Sequence, residues 1–432
     1  MTDTTIEHLR ARRVWDSRGR PTVEAEVTLK SGATGRAIAP AGASTGTGEA
    51  LDLRDGGSAF GGLDVTQPIA QINGDIASTL RGMDAREQSR IDQRLIDLDG
   101  TPNRSRLGGN AIVATSMAIL HAAAAASGLP LWRYLAGDRQ TVRTPLPEIQ
   151  IFGGGAHASR RVDVQDFMVM CPAASSFGEA LEWTAEVYLA AGSLMKQAGK
   201  LQGVADEGGY WPAFDSNEEA LDMLVAAIDK TGLRAGDQVG ISLDIAASDF
   251  GSNGRYTLAL DGRELDTDGM INMLGRWLDT YPILSIEDPL AEDDATGFCE
   301  FTQRYGTRCQ VIGDDFLVTN AARVALAASQ RAVNAVLIKP NQAGTVTETH
   351  AALIAGQSAG FGTIVSARSG ETEDVTIAHL SVGWDAGQLK VGSFSRSERM
   401  AKWNEVLRIE EALGRDAQFS GWSALPIRDR PN

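Results

Sequence analysis

The 432-residue sequence predicts an α/β protein, in which a parallel βα barrel follows a smaller N-terminal α+β domain. Three observations predict this fold. Beyond residue 147, short apolar runs alternate with helical patterns, and several of these runs end in a charged residue. The run ends at residues 287, 314 and 339 lie about one βα unit apart, which is roughly 25–35 residues. The chain is also too long for one ordinary domain.

A small antiparallel sheet and a long helix are predicted near the N-terminus. Residues 22–29 (TVEAEVTL) alternate apolar and polar side chains, which is typical of a half-buried strand. The flanking segments HLRARRVWDS and GRAIAP are its expected partners in a meander. The clearest helix begins at Asn110, a good N-cap residue, and ends at Gly128.

The domain boundary is predicted within residues 135–147 (LAGDRQTVRTPLP), where Gly, Pro and charged residues accumulate. We therefore assign residues 1–138 to the N-terminal α+β domain and residues 139–432 to the barrel domain.

Charge and composition narrow the class of function. A net charge of −16 argues against nucleic acid and anionic membranes as partners. The three cysteines are too few and too irregularly spaced for a disulfide framework or a CxxC metal site. The N-terminus has no signal-type apolar core, and no uninterrupted apolar run reaches the ~18 residues of a membrane helix. We expect a cytoplasmic protein with no membrane partner.

Acidic residues close three of the apolar runs. Asp244 ends the first run, Glu287 or Asp288 the second, and Asp314 or Asp315 the third. Alternation along the second run favours Glu287, whereas both acids of the third run stay candidates. Because the strand ends of a barrel meet at one rim, three carboxylates there form a site for a hard divalent cation such as Mg²⁺.

Two lysines close later runs, Lys339 and Lys390. A single acid at a strand end is as often a helix cap or a surface residue. Three acids in successive units, followed by a lysine in the fourth, favour a shared site. A divalent cation and a lysine at a barrel mouth suit the removal of a proton next to a carboxylate, so the chain is predicted to be an enzyme.

Several longer motifs point to a family. They are DSRGRPTVE (16–24), GASTG (42–46), ADEGG (205–209), SIEDP (285–289), GDD (313–315), IKPNQAGT (338–345), RSGETED (368–374) and RSER (396–399). In this order and spacing they resemble the enolases (phosphopyruvate hydratases), and the likeness covers nearly the whole chain. The resemblance implies an enolase-type βα barrel, in which one early strand runs antiparallel, beneath an N-terminal α+β capping domain.

The resemblance also implies two Mg²⁺ sites. The first ion is expected on Asp244, Glu287 and Asp314, with the substrate's carboxylate on the same ion. Ser44, in the GASTG loop, resembles the residue that closes over the substrate and a second, substrate-assisted Mg²⁺.

Catalytic roles follow from the same resemblance. Lys339 resembles the general base, and we expect nearby cations to lower its pKa so that it can act as one. Glu207 resembles the acid that protonates the departing C3 hydroxyl, and Lys390 helps to neutralise the enolate. Asp166 stands in the catalytic shell of the family.

Five residues are expected to bind the substrate. Arg368 and Ser369 match the family's phosphate-binding pair, and His157 matches a loop histidine that helps to close the site. Gln165 and Ser44 complete the set.

Four positions depart from the family's pattern. The family carries histidine where this chain has Ala367, glutamate where it has Asp166 and asparagine where it has Gly153. A serine is usual where this chain has Ala41. The first two changes lie on the side of the site that handles the C3 hydroxyl and its water. Each shortens a side chain and so enlarges the site.

These changes favour a diverged paralogue over an ordinary enolase. It would form or stabilise the enolate of a phosphorylated three-carbon acid in phosphonate-type specialised metabolism, as carboxyphosphonoenolpyruvate synthase does. The first alternative is a housekeeping enolase that dehydrates 2-phosphoglycerate to phosphoenolpyruvate in glycolysis. The second is a non-catalytic scaffold, which retention of all three acids opposes. The expected partners are a small phosphorylated or phosphonate acid and a second copy of the chain, because enolases commonly form homodimers.

Overall fold

The structure, a computed structural model, describes residues 2–43 and 45–429. Its strands are β1 (Ile6–Trp15), β2 (Pro21–Leu29), β3 (Thr34–Ile38), β4 (Arg143–Thr144), β5 (Leu146–Gly153), β6 (Asp166–Met170), β7 (Gly240–Asp244), β8 (Gly251–Ser252), β9 (Arg255–Leu258), β10 (Arg263–Asp266), β11 (Ile283–Glu287), β12 (Gln310–Gly313), β13 (Ala335–Ile338), β14 (Gly362–Ser366), β15 (Gly387–Ser393) and β16 (Gln418–Phe419). Its helices are α1 (Thr66–Gln71), α2 (Ala77–Leu80), α3 (Gln88–Asp99), α4 (Gly109–Ala126), α5 (Leu131–Ala136), α6 (Phe177–Gln197), α7 (Asn217–Thr231), α8 (Thr267–Thr280), α9 (Ala295–Tyr305), α10 (Ala321–Gln330), α11 (Pro340–Ala343), α12 (Val346–Ser358), α13 (Thr376–Gly383) and α14 (Ser397–Leu413).

The N-terminal sheet is the predicted antiparallel meander, in the order β1-β2-β3. The prediction that β2 is half-buried is wrong, because even the polar Glu24 is buried. Arg12 and Arg36 both pair with the Glu24 carboxylate, which compensates the burial of its charge.

Helix α4 packs against β2 and β3 and spans nearly the predicted residues. The prediction that Asn110 caps it is wrong. Asn110 lies inside the first turn, where its side-chain amide donates to the Leu53 carbonyl oxygen at 3.0 Å. By length and composition α4 is apolar enough to cross a membrane, but 83% of it is buried inside the protein, as in the core helix of a soluble domain.

The second part of the chain forms a closed barrel, in the order β11-β12-β13-β14-β15-β5-β6-β7. All neighbouring strands are parallel except β6, which runs antiparallel to β5 and β7. The predicted α/β barrel with one reversed early strand is therefore confirmed. Because β6 is reversed, its first residue, Asp166, lies opposite Asp244, the last residue of β7.

The stretch between the two parts begins after α5 and contains β4, which pairs with β16. The proposed boundary between residues 138 and 139 falls between α5 and β4. That boundary remains a prediction.

Gly35 of β3 lies directly against the backbone of α4. A Cβ atom on Gly35 would lie 2.1 Å from the Ala118 carbonyl oxygen and 2.2 Å from the Ala122 nitrogen of α4. We expect Gly35→Ala to destabilise the domain by about 1–3 kcal/mol or more, because helix backbone cannot yield without repacking. Thermal denaturation measures this as a lower Tm. Gly74→Ala is the control, because a Cβ there meets nothing within 4 Å; equal Tm values for both variants would contradict the prediction.

Candidate active site

The carboxyl rim of the barrel gathers the predicted acids and lysines. Lys390, on β15, donates to Asp244 Oδ2 at 2.9 Å and to Glu287 Oε2 at 2.8 Å. Lys339, directly after β13, donates to Asp314 Oδ2. All five side chains are buried, so each charge is compensated by a neighbour instead of by water.

The structure separates the acid pairs that the sequence leaves open. The Asp288 carboxylate accepts hydrogen bonds from the backbone amides of Asp314 at 2.9 Å and Asp315 at 2.8 Å. Asp288 therefore fixes the turn after β12, while Glu287 contacts Lys390. Of the third pair, Asp314 is the acid that contacts Lys339.

Burial and mutual contact set the pKa values of this cluster. Burial raises the pKa of Glu287 well above its usual range, and the neighbouring Asp244 carboxylate raises it further. Burial works against the charged form of Lys390, but Asp244 and Glu287 outweigh it and raise the pKa of Lys390 well above its ordinary value.

The expectation that the pKa of Lys339 is lowered is wrong for this arrangement, although the nearby cations do act in that direction. Burial lowers that pKa, and so do Arg368 and Lys390, but the Asp314 carboxylate in contact with Nζ outweighs them. The pKa of Lys339 is therefore raised, and Asp314 holds the proton on the lysine. The same pairing lowers the pKa of Asp314 in spite of its burial.

The donor set fits Mg²⁺. Carboxylate oxygens are the ligands that this ion prefers, and the acids stand at the ends of three neighbouring strands, β7, β11 and β12. Glu287 Oε1 is buried without a hydrogen-bond partner within the described part of the chain, which is costly unless a cation or water binds it. Within the described ranges, the groups that bring three possible ligand atoms within 4.8 Å of one another are different ones: His157, Asp166 and Glu207, and Asp288, Asp314 and Asp315. The predicted set shares only Asp314 with them, so Asp244, Glu287 and Asp314 remain the predicted ligands.

His157 joins three predicted site residues on the other side of the cavity. Its Nδ1 lies 3.0 Å from Asp166 Oδ1, and its Nε2 lies 2.9 Å from Ser369 Oγ and 3.6 Å from Glu207 Oε1. Burial disfavours the imidazolium, but the Glu207 and Asp166 carboxylates outweigh it and raise the pKa of His157 to about 9. The side chain therefore carries a positive charge at neutral pH.

The predicted phosphate-binding arginine contacts one carboxylate and one side-chain amide. Arg368 Nη1 donates to Glu49 Oε2 at 3.0 Å and to Asn341 Oδ1 at 3.1 Å. Among the predicted residues that the structure describes, His157 contacts the Ser369 side chain, through Nε2. Gln165 donates to Asp244 Oδ2 at 3.0 Å, so it supports a predicted metal ligand.

The backbone beneath Arg368 is fixed by a buried guanidinium. Arg399, on α14, is fully buried and donates to the carbonyl oxygens of Arg368 at 2.7 Å and Val391 at 2.9 Å, and also to that of Ser369. One side chain thus holds the segment that follows β14 against β15. Arg399 lies in the RSER motif, but its position there does not indicate this role.

The departures from the family pattern are located at or near the cavity. The Ala367 side chain lines it, together with Lys339, Glu207 and Arg368. A Cβ on Gly153 would lie 2.6 Å from the Ala205 Cβ, so glycine suits this packing. The residues at the other two positions make ordinary contacts. The backbone of Ala41 pairs with that of Gly370 across the domains, and Asp166 also accepts a hydrogen bond from the Gln150 side chain.

Sequence reasoning missed three polar residues of the site: Glu49, Gln342 and Glu148. Gln342 lies in IKPNQAGT, and Glu49 lies three residues beyond GASTG, so only proximity to a motif could have indicated them. Glu148 lies opposite Lys390 in the barrel, and burial raises its pKa to about 7. Ser44 lies outside the described residues, and its role in binding substrate and metal remains a prediction.

The charge on His157 makes stability depend on pH. An unfolded histidine has a pKa of about 6.5, so the pKa of about 9 in the folded chain means that folding favours the protonated ring. This stabilisation is fully present below pH ~6.5 and is lost as the pH rises towards 9. We expect the Tm of the wild type to fall across this window more steeply than that of His157→Gln. Parallel Tm profiles from pH 6 to 9.5 would contradict the assignment.

Comparisons with known proteins agree with this geometry. Residues 6–135 match the model of "Enolase, N-terminal domain", and residues 141–426 match that of "Enolase, C-terminal TIM barrel domain". The chain is also similar to "Enolase 1" of Desulfitobacterium hafniense (strain Y51), with 50% identity over 417 residues, which cover 96% of this chain and 95% of that protein. The chain therefore belongs to the enolase family and is a lyase of that family.

Proposed function

We propose that the protein is an Mg²⁺-dependent enolase that dehydrates 2-phosphoglycerate to phosphoenolpyruvate. The observation that carries the proposal is a single cavity lined by Lys339, Lys390, Glu207, Arg368 and Ser369. A base, an acid and an anion-binding pair are the groups that this elimination needs. The 50% identity to Enolase 1 favours this reaction over the phosphonate-type paralogue.

The residues divide the reaction between them. Arg368 and Ser369 bind the phosphoryl group, and Lys339 removes the proton from C2. Lys390 offsets the negative charge that then develops on the substrate's carboxylate. Glu207 gives a proton to the C3 hydroxyl, which leaves as water, so the net change is the loss of one water molecule.

Lys339 accepts a proton only as the free amine. Its contact with Asp314 must therefore be broken before the C2 proton is removed. Asp244, Glu287 and Asp314 are the residues that would hold Mg²⁺, and the ion supplies Lewis-acid stabilisation of the enolate when bound. Ser44 is proposed to serve a second ion.

A second candidate function is the diverged paralogue acting on a phosphonate-type acid. Two residues favour it: Ala367 lines the cavity where the family carries histidine, and Asp166 is one methylene shorter than the family's glutamate. Against it, the charged imidazolium of His157 lies beside Glu207 and Asp166 and can donate a proton on the same side of the cavity. A scaffold without activity is opposed by the retained acids and lysines.

The location, the assembly and the partners of the protein are also proposed from its family relationship. We propose a cytoplasmic homodimer that acts on a small phosphorylated acid, without nucleic-acid or membrane partners. The net charge of −16 supports the last point.

The proposed reaction is tested by phosphoenolpyruvate formation from 2-phosphoglycerate, followed by ultraviolet absorbance with and without Mg²⁺. We expect Mg²⁺-dependent turnover comparable with that of an ordinary enolase. Lys339→Met should lower kcat by about 10²–10⁴-fold, because a positioned general base contributes that much. Lys230→Met is the control, because Lys230 is exposed and its ammonium contacts only Ser193 among the described hydrogen bonds. Absence of turnover in the wild type would overturn the proposal.

Reversal of the two departures separates the two candidate functions. The proposed enolase already turns over with Ala367 and Asp166, so we expect the double variant Ala367→His, Asp166→Glu to gain less than about tenfold in kcat. A gain of about 10²-fold or more in the same assay would favour the paralogue, whose cavity lacks the family's C3 chemistry.

A further inference from the structure

The guanidinium of Arg368 is already paired with a carboxylate inside the protein. Glu49 Oε2 lies 3.0 Å from Arg368 Nη1, and Glu49 Oε1 lies 3.5 Å from Nη2. The Glu49 side chain is only 8% exposed, and the Arg368 side chain only 4%. A carboxylate and a phosphoryl group use the same guanidinium donors, so Glu49 stands where an anionic substrate has to bind.

The same carboxylate organises the segment that follows the GASTG motif. Glu49 Oε1 accepts from the Gly46 amide at 2.9 Å and from Gln342 Nε2 at 3.2 Å. The next amide, that of Ala50, donates to the Gln342 carbonyl oxygen at 2.9 Å. The position of Glu49 is therefore tied to residues 46–50 and to α11.

Gln342 links Glu49 to Asp314, one of the predicted metal ligands. Its Nε2 donates to Asp314 Oδ1 at 2.9 Å, and its Oε1 accepts from Thr319 Oγ1 at 2.6 Å. Asp314 in turn contacts Lys339. A continuous set of polar contacts thus joins Arg368, through Glu49 and Gln342, to the base and a metal-binding acid.

We propose that Glu49 is an internal counterion of Arg368 that the substrate's phosphoryl group must displace. Displacement breaks the hydrogen bonds that Glu49 accepts from the Gly46 amide and from Gln342 Nε2, so phosphate binding is transmitted to residues 46–50 and to Asp314. Glu49 is a positioning residue and does not touch the reacting atoms. The inference rests on the proposed function only in taking Arg368 as the phosphate-binding residue.

The proposal predicts two effects of opposite sign when the charge on Glu49 is removed. Glu49→Gln removes the carboxylate that contacts the buried guanidinium, which lowers the stability of the free protein. It also removes the anion that competes for Arg368, so binding of phosphate becomes tighter. Structural damage alone weakens ligand binding, so tighter binding distinguishes a counterion from a merely structural residue.

The test is isothermal titration of the full-length protein with inorganic phosphate, and separately with phosphoenolpyruvate, at a fixed Mg²⁺ concentration. We expect Glu49→Gln to lower the Kd for inorganic phosphate roughly 5- to 100-fold, the range of a typical coupling between two binding events. Glu49→Asp, which keeps the charge but withdraws it from Arg368, should give a smaller gain. It also serves if Glu49→Gln does not fold.

Glu292→Gln is the matched control. Glu292 accepts from the Thr47 amide at 2.8 Å and from its hydroxyl at 2.6 Å, so it holds the same segment from the outside. We expect its Kd for phosphate to equal that of the wild type. An equal gain in Glu292→Gln would overturn the proposal, because loosening of the segment or overall charge would then explain the effect.

The outcomes also separate this inference from the proposed function. If the wild type binds phosphoenolpyruvate and Glu49→Gln binds phosphate no more tightly, the counterion is refuted while the function stands. If Glu49→Gln binds phosphate tightly in a protein that does not turn over 2-phosphoglycerate, the counterion is supported and the function fails. If no variant binds either anion, both fail.

Discussion

The structure depends on the mutual neutralisation of charges buried at the rim of the barrel. Asp244, Glu287 and Asp314 are acids removed from water, and each is tolerated because an ammonium group contacts it. The ion pairs hold the lysines protonated, so the resting arrangement and the working arrangement must differ at Lys339. A base that is stored as part of an ion pair becomes reactive only when its partner acid takes a different counterion.

The reversed strand, β6, explains why a further carboxylate lies beside this cluster of charges. A parallel β6 would place its first residue at the far end of the barrel, whereas antiparallel β6 brings Asp166 to the rim beside Asp244. His157 follows β5 and meets Asp166 there. The connection between β5 and β6 thus supplies the imidazole on this side of the cavity, and the start of β6 supplies the carboxylate beside it.

The sequence was most informative where the position of a residue along a strand decides where its side chain lies in the barrel. The rim acids and lysines, and the antiparallel strand, followed from run ends and from motifs of the family. The Asp288 contact could not be foreseen, because it depends on amides that the β12 turn presents. The pairing of Glu49 with Arg368 was also out of reach, since the residues are 319 positions apart and only the folded chain brings them together. The pKa of Lys339 was misjudged because a contacting acid outweighs several cations at longer range.

The grip of Arg399 on the carbonyl oxygens of Arg368, Ser369 and Val391 has a consequence for how such a site diverges. The backbone amide of Ala367 is likewise bound, to the carbonyl oxygen of Lys390 at 2.9 Å. The path of the main chain around position 367 is therefore set by hydrogen bonds to backbone atoms, which do not involve the side chain at that position. Exchange of the side chain there leaves these backbone hydrogen bonds in place, so position 367 is one at which substrate preference could change at little cost to foldability.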